Sequence, residues 1–584
     1  MSLVRQSARL AIGRLAIAWL FAPLAPSVTA FAQTDSAESD ERVAATHEGP
    51  EPALDESAAK ERFARLDADI LKEAVDRGAR IGRVEIVTDD VFDPAKPKEN
   101  KRLYRFANKV HVETRDSVIE DVILFHSGDM FDSRLLEESA RLLRQEAGIS
   151  EAVVVPTAYN ADTNTVDVLV NTRDSWSLSA DLKFGRSGGK NDFGFGVEEK
   201  NLLGTGQKIL VSHKSNVDRD QNILGYGDDN VRGTRVRLAG QYADTSDGVR
   251  RALDVGRPFF ALDTHWSLTG SLLDERRVDQ MYDLGEVVDE FQHRQEQVTV
   301  SGGWSHGLVD GRTRRWLAGV TYDQNEFRPS SDVPNPLVLP EDRKLVYPWI
   351  GYSLVTDDFR AVEELNDIGR TEDVNLGLSV NARLGYSSTG FGADRDAWIF
   401  DMLGQKGWEP EPGKLVFVDF AASSRFEDGR SENTIVSAGA RYYRRNFGNK
   451  LFFVSLSGTT TNALDLDRQV LVGGDSGLRG YPLRYQSGTA RAVLTFEERV
   501  FTDWYPWKLV RVGYAAFFDS GRTWGRDPRG TESLGTLHDI GVGLRLSSPR
   551  ASSGTVVHID LAFPLNRNGS IQSAQLNIET KGSF

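Results

Sequence analysis

Alternation of apolar and polar residues dominates the last 410 residues or so of the chain, from Asp174 onward. In 540–547, for example, Ile, Val and Leu alternate with Gly, Arg and Ser. Period two is the spacing of side chains on a β-strand, so each such segment has one apolar and one polar face. Clusters of Gly, Asp, Asn and Ser separate the segments. This region therefore predicts an all-β structure, which is either a soluble sandwich or a membrane barrel.

Three features favour the membrane barrel. The run of strands is too long for a sandwich of typical size. Polar stretches at 275–291 and 326–343 are predicted to be long loops that alternate with short turns, as on the two sides of an outer-membrane barrel. The last strand includes Leu576 and Ile578, and the chain ends on Phe584. A final strand with a terminal aromatic resembles the insertion signal of outer-membrane barrels.

The N-terminus is predicted to be a signal peptide over residues 1–32. Arginines precede a short apolar run at 15–24, and Ala30-Phe31-Ala32 provides a cleavage site. A membrane anchor is the alternative, but the run is shorter than the ~20 residues that a spanning helix needs. Residues 33–53 are acidic and poor in apolar residues, which predicts a disordered leader.

Residues 54–80 predict an amphipathic helix and linker, with apolar residues at helical spacing and Gly78 as a stop. This helix either packs on the next domain or plugs the barrel. Residues 81–173 predict one compact α/β domain of order β-α-α-β-β, with Asp132 as the N-cap of a helix over 133–145. The predicted barrel then fills 174–584.

Composition excludes several classes of function. The net charge of −15 argues against nucleic acid as a partner and against docking on anionic lipid headgroups. The absence of cysteine removes disulfides and thiolate sites. The nine histidines lack the spacing of metal ligands, so we expect neither a metal nor another cofactor. Gly303–Gly307 fits the G-x-S-x-G pattern, but in an all-β region that lacks the required helix. We therefore expect no catalytic residues and no enzyme.

The most specific motifs lie in the second half of the barrel region. One is the run 472–482, in which Gly474 precedes Arg479-Gly480-Tyr481-Pro482. The other is Phe517-Phe518-Asp519-Ser520-Gly521. These motifs resemble the Arg-Gly-Phe/Tyr loop tip and the F-x-D-x-G strand of the BamA/TamA outer-membrane assembly and translocation superfamily.

The resemblance implies a site in the barrel lumen. The loop arginine, Arg479, would pair with Asp519 on the inner wall, with Gly480 and Tyr481 completing the loop tip. A bidentate pair suits the planar guanidinium and a carboxylate. The supporting residues implied by the same resemblance are Gly474, Phe517, Gly521, Glu497 and Arg499. Residues 201–206 and 257–260 resemble the first two periplasmic turns.

The resemblance also implies an architecture. Residues 81–173 resemble a single POTRA domain, the periplasmic module that precedes such barrels. The superfamily barrel has 16 strands, whereas the sequence offers about 18 candidates, and either even number can close a barrel. We expect that one hairpin between 397 and 446 is overcounted and that the barrel has 16 strands.

The expected function is physical and not chemical. The protein is predicted to assist the insertion of β-barrel proteins into the outer membrane, or polypeptide transport to or across it. The expected partners are outer-membrane lipid and lipopolysaccharide, unfolded polypeptides at the POTRA sheet edge, and periplasmic partner proteins. A dedicated secretion transporter and a passive outer-membrane channel are the alternatives.

Overall fold

The structure is a computed structural model that describes residues 66, 68–97, 99–446, 448–551, 556–567 and 571–581, apart from the side chains of 180–183. The predicted signal peptide and leader, residues 54–65 of the predicted helix, and Phe584 lie outside these residues.

A small α/β domain precedes the barrel. Its elements are α1 (Ala68–Asp76), β1 (Arg80–Asp89), α2 (Arg102–Val110), α3 (Asp116–Val122), α4 (Ser133–Gln145), β2 (Ile149–Asn160) and β3 (Thr165–Asp174). The sheet has the order β1-β3-β2, with β1 parallel and β2 antiparallel to β3. The sequence predicted two helices between β1 and β2, whereas the structure has three, because α2 was missed.

Apolar side chains on one face of α4 hold the domain together. Asp132 caps this helix by accepting a hydrogen bond from the backbone N–H of Arg134 at 2.9 Å. Leu136 and Leu143 of α4 are buried in one cluster with residues of the sheet. Burial of one such side chain contributes about 1.5–3 kcal/mol. Ala74 of α1 is buried in the same cluster, so the described part of the predicted 54–75 helix packs on this domain.

The rest of the chain forms a closed antiparallel barrel of 20 strands. The strands are β4 (Leu178–Ser187), β5 (Lys190–Glu199), β6 (Lys208–Ser215), β7 (Asp220–Asp228), β8 (Arg237–Thr245), β9 (Gly248–Arg257), β10 (Trp266–Asp283), β11 (Glu286–Val309), β12 (Arg312–Pro329), β13 (Arg343–Thr356), β16 (Ser379–Ser387), β17 (Ala397–Glu411), β18 (Lys414–Glu427), β19 (Arg430–Arg445), β20 (Lys450–Asn462), β23 (Ala490–Phe501), β24 (Arg511–Trp524), β25 (Leu537–Ser547), β26 (Val556–Pro564) and β27 (Gln575–Lys581). Two further ladders are not part of the barrel wall: β14 (Phe359–Glu363) with β15 (Thr371–Asn375), and β21 (Val470–Val472) with β22 (Gln486–Gly488).

The predicted count of 16 or 18 strands is wrong. The segment 397–446 contains three barrel strands, β17, β18 and β19, so no hairpin was overcounted there. The polar stretch 275–291 is not a loop, because β10 and β11 run through it and turn at Leu284 and Gly285. These strand ends resemble a loop in the sequence because they are rich in charged residues. The charged side chains pair with one another, as Arg277 does with Asp279 and Glu275.

The outside of the barrel is apolar. Trp316, Val320 and Val542, which the alternation placed on apolar faces, point outward and are at least half exposed. The polar residues between them point into the lumen, where Asp519, Asp539 and Arg545 are buried. An apolar exterior around a closed barrel is the arrangement of an outer-membrane protein, since lipid then covers the exposed side chains and the strands pair around the barrel.

No helix within the described residues is long and apolar enough to cross a bilayer.

The small domain lies across one end of the barrel. The backbone N–H of Arg115 donates to Gly204 in the turn from β5 to β6, at 3.0 Å. Arg235, in the turn from β7 to β8, donates to the carbonyl oxygen of Ile123 at 3.0 Å. Across the junction of β27 and β4, the backbone N–H of Trp176 donates to Arg550 in the turn from β25 to β26. All these turns are at the same end, which we call the domain end.

Candidate functional site

The chain between β20 and β23 folds into the barrel from the end opposite the small domain. Residues 463–489, the luminal loop, include the β21–β22 ladder. Leu478 and Tyr481 of this loop are fully buried in one cluster with Val493 of β23 and Leu537 of β25. The loop is therefore packed against the inner wall.

Arg479, at the tip of the luminal loop, pairs with carboxylates of the wall. Its Nε and Nη2 donate to the two oxygens of Asp519 at 2.7 and 3.0 Å. Its Nη1 donates to Glu497 at 2.7 Å. The guanidinium carbon also lies 3.3 Å from the ring centroid of Phe517. All these wall residues lie on β23 and β24, and the structure thus brings together the predicted pair and two of its predicted supporting residues.

The charge network continues beyond Arg479. Glu497 also pairs with Arg499 at 3.4 Å and with Arg545 at 3.6 Å. Asp560 of β26 pairs with Arg545 and lies 3.5 Å from Arg479. A buried charge without a partner is costly, and removing one member of such a pair costs about 3–5 kcal/mol. Each arginine and carboxylate here therefore depends on the others.

A glycine beside Arg479 allows the loop tip to approach the wall. A Cβ at Gly480 would lie 2.6 Å from the Cβ of Asp539 and 3.0 Å from the backbone nitrogen of Pro564. The next residue, Tyr481, places its hydroxyl 2.9 Å from the carbonyl oxygen of His538 and 3.0 Å from that of Asn566. The tip is thus held by β25 and by the turn that follows β26.

The same loop contacts the seam where the barrel closes. Asn577 of β27, the last strand, donates to the carbonyl oxygen of Arg479 at 2.7 Å and accepts from the backbone N–H of Gly188 at 3.2 Å. Gly188 lies in the turn that follows β4, the first strand. Among the described residues, β27 and β4 pair at one position only, Ile578 opposite Arg186. The strands β26 and β27, in contrast, pair continuously along 556–562.

A second segment enters the lumen from the domain end. Residues 357–378, the inner hairpin, include β14 and β15 and connect β13 to β16. Ile368 of the hairpin is fully buried in a cluster with side chains of the inner wall, among them Phe453 of β20. Asn366 accepts a hydrogen bond from Tyr443 at 3.1 Å, and the carbonyl oxygen of Leu365 accepts one from Arg499 at 2.9 Å.

The inner hairpin also contacts the small domain. Arg144 of α4 donates twice to Asp373, at 2.6 and 2.8 Å. Arg141 lies over the ring of Phe359, 3.7 Å from its centroid. Because Arg499 contacts both the hairpin and Glu497, a continuous series of polar contacts joins the small domain to the Arg479 site.

Other predicted site residues lie at the edge of the site or outside it. Gly521 lies beside the loop, where an added Cβ would be 3.2 Å from Leu478, and Gly474 lies beside Gly188. Ile578 lies at the seam, whereas Leu576 points outward and is exposed. The terminal Phe584 lies outside the described residues.

Sequence reasoning missed several members of the site. They are Asp560, Arg545, Asn577 and the whole inner hairpin. Asp560 and Arg545 each place a charge on the lumen-facing side of a strand whose other face is regularly apolar. A charge at such a position could have identified both residues. The hairpin has no comparable pattern in the sequence.

No family model matches the chain, and no curated protein matches it. Among solved structures, the chain is similar to BamA from Haemophilus ducreyi lacking POTRA domains 1–3, with 12% identity, a TM-score of 0.37, and coverage of 86% of this chain and 84% of that one. It is also similar to CdiB from Escherichia coli, with 14% identity, a TM-score of 0.43, and coverage of 85% and 76%. CdiB from Acinetobacter baumannii gives 11% identity, a TM-score of 0.38, and coverage of 86% and 73%. At these values the likenesses do not assign a function by themselves.

The network predicts that Arg479→Ala releases the luminal loop. The change leaves Asp519 and Glu497 buried without their main partner, so the free energy of unfolding should fall by about 3–5 kcal/mol. Trypsin added to intact cells should then cut within 463–489 at equal barrel abundance. Arg430→Ala, at the exposed first residue of β19, is the matched control and should change neither quantity. If residues 463–489 resist trypsin as well in Arg479→Ala as in the wild type, Arg479 does not hold the luminal loop in place.

The inner hairpin is predicted to loosen as the pH rises. Burial and the neighbouring Glu372 raise the pKa of Asp367 from 3.8 to about 7, while Arg370 opposes the shift. The docked hairpin therefore holds a proton that the released hairpin gives up, so docking is strongest below pH 3.8 and weakens up to about pH 7. Hydrogen-exchange protection factors of 357–378 should fall across this window. In Asp367→Asn the fall should be smaller, although Glu372, whose pKa burial also raises, still titrates there. An equal fall in that variant would refute the assignment.

Proposed function

We propose that this protein inserts β-barrel polypeptides into the outer membrane, and that the β4–β27 seam is the element that accepts them. An incoming strand would pair with the exposed edge of β4 or β27 when the seam opens. An unpaired strand edge in lipid is strongly unfavourable, so its pairing with a substrate strand is favourable.

This proposal rests on one observation: the first and last strands pair sparsely, and the luminal loop held by Arg479 contacts them. Among the residues that the structure describes, the seam strands pair at Ile578 and Arg186 only, and Asn577 connects the last strand to both Arg479 and the first hairpin. Few backbone hydrogen bonds then oppose opening. Release of Arg479 would remove a contact from the last strand at the same time, so the lock and the seam are linked.

The filled lumen argues against a passive diffusion channel. The luminal loop packs on the wall from one end and the inner hairpin from the other, each with fully buried side chains. A channel of the porin type instead keeps a water-filled path. In this proposal both segments narrow the lumen, which a diffusion channel would keep open.

The small domain supports a role in handling polypeptide. Its sheet has two edge strands, β1 and β2, and an extended polypeptide can add to such an edge by backbone hydrogen bonds. The domain lies across the barrel end and contacts the inner hairpin through Arg144. In this proposal it acts as the POTRA domain that the sequence resembles, with polypeptide as its partner and the periplasm as its location.

A disulfide across the seam tests the proposal cleanly, because the chain has no cysteine of its own. Arg186→Cys with Ile578→Cys should close the seam. The control pair Val557→Cys with Thr580→Cys links β26 to β27, which are already continuously paired. Under oxidising conditions the seam pair should deplete several barrel proteins from the outer membrane, and reductant should restore them, while the control pair has no effect.

A third pair separates insertion from secretion through the lumen. Leu478→Cys with Gly521→Cys tethers the loop to the wall, since a Cβ at Gly521 would be 3.2 Å from Leu478. A dedicated transporter should then lose one exported protein from the culture supernatant with the membrane proteome unchanged. If the seam disulfide leaves the membrane proteome intact, the insertion proposal is wrong.

A further inference from the structure

The helix α2 has an exposed apolar face that nothing in the described chain covers. Leu103, Phe106 and Val110 follow one another at helical spacing, and each is more than half exposed. The opposite side of the helix is docked, because Tyr104 is buried and Asn108 bonds to the backbone of Phe92. The contacts of Tyr104 and Asn108 therefore orient the helix so that its apolar face points away from the domain.

This docking places α2 at the rim of the barrel. The hydroxyl of Tyr104 donates to the carbonyl oxygen of Trp507, in the turn from β23 to β24, at 2.5 Å. Trp507 and Trp504, in the same turn, are exposed by 74% and 59%. Exposed tryptophans at the end of a membrane barrel mark the level of the lipid headgroups. The helix thus lies at the height of the bilayer surface at the domain end.

A third face of α2 is basic. Arg102, Arg105 and Lys109 lie side by side on it, Lys101 precedes it, and no acidic residue occurs over 101–112. The whole chain has a net charge of −15, so this positive stretch is a local exception. An apolar face next to a basic face is the pattern of a helix that lies in the membrane surface and binds anionic lipid.

We propose that α2 is an interfacial helix that anchors the small domain to anionic phospholipid in the leaflet at the domain end. Leu103, Phe106 and Val110 would enter the boundary between headgroups and acyl chains, by about 5–10 Å. The basic side chains would reach the phosphate groups. This anchor is independent of whether the barrel inserts or transports polypeptides.

The anchor lies close to the seam. Arg550, in the turn before β26, donates to Glu99 at 2.6 Å, within the segment that leads into α2. The backbone carbonyl of Arg550 also accepts from Trp176, just before β4. The helix is thus tied to the two sides of the seam. By fixing the small domain against the bilayer here, α2 would set where an emerging polypeptide meets lipid.

The test measures the membrane depth of α2 in the full-length protein. A spin label at Val110→Cys is compared with one at Glu85→Cys, an exposed site on β1 of the same domain. The protein is reconstituted in nanodiscs of phosphatidylethanolamine with phosphatidylglycerol, or of phosphatidylcholine alone. At Val110, the accessibility to oxygen relative to a water-soluble nickel complex should be higher than at Glu85, and highest with phosphatidylglycerol.

A variant without the basic side chains measures the contribution of the lipid headgroup charge. Arg102→Gln with Arg105→Gln and Lys109→Gln changes exposed residues only, and should abolish the difference between the two lipid compositions at Val110. If the label at Val110 is as accessible to nickel as that at Glu85 in both lipids, the proposal is refuted. It is also refuted if protection at Val110 depends on protein concentration, because a second copy of the chain would then cover the face.

Discussion

The structure depends on neutralising a guanidinium that the barrel encloses. Arg479 reaches the inner wall at the end of a long loop, where the carboxylates of Asp519 and Glu497 accept its hydrogen bonds and Asp560 lies 3.5 Å away. Those carboxylates in turn require Arg479, because buried charges are stable only in pairs. The loop therefore packs against the inner wall at the end opposite the small domain, and its apolar side chains are buried there.

Three parts of the molecule meet at this charge network. Arg499 links Glu497 to the inner hairpin, the hairpin pairs with Arg144 of the small domain, and Asn577 links the loop tip to the seam. A binding event on the small domain therefore has a physical route to the strand where the barrel closes. In the proposed function, opening of the seam is linked to release of the loop, because Asn577 of the last strand donates to the backbone carbonyl of Arg479.

Much of this architecture could be predicted from the sequence. The two-residue alternation identified the lipid-facing side chains correctly, and the loop and strand motifs identified Arg479 and Asp519 before their contact was visible. The strand count was wrong, and the lengths of β10 and β11 were underestimated because these strands extend through charged residues that resemble a loop. The helix α2 was missed although Leu103, Phe106 and Val110 have helical spacing. Asp560 and Asn577 join the site from strands far away in sequence, and local pattern cannot reveal such partners.

The central claim is that polypeptide substrates pair with the seam strands. Photo-cross-linking in living cells tests it most directly, with a photoreactive residue at Arg186 or Ile578, at Val320 on the lipid-facing wall far from the seam, and at Ser455 on the inner wall. The account predicts adducts with newly made barrel proteins at Arg186 and Ile578 and none at Val320 or Ser455. Adducts at Ser455 alone would contradict it, because the polypeptide would then pass through the lumen.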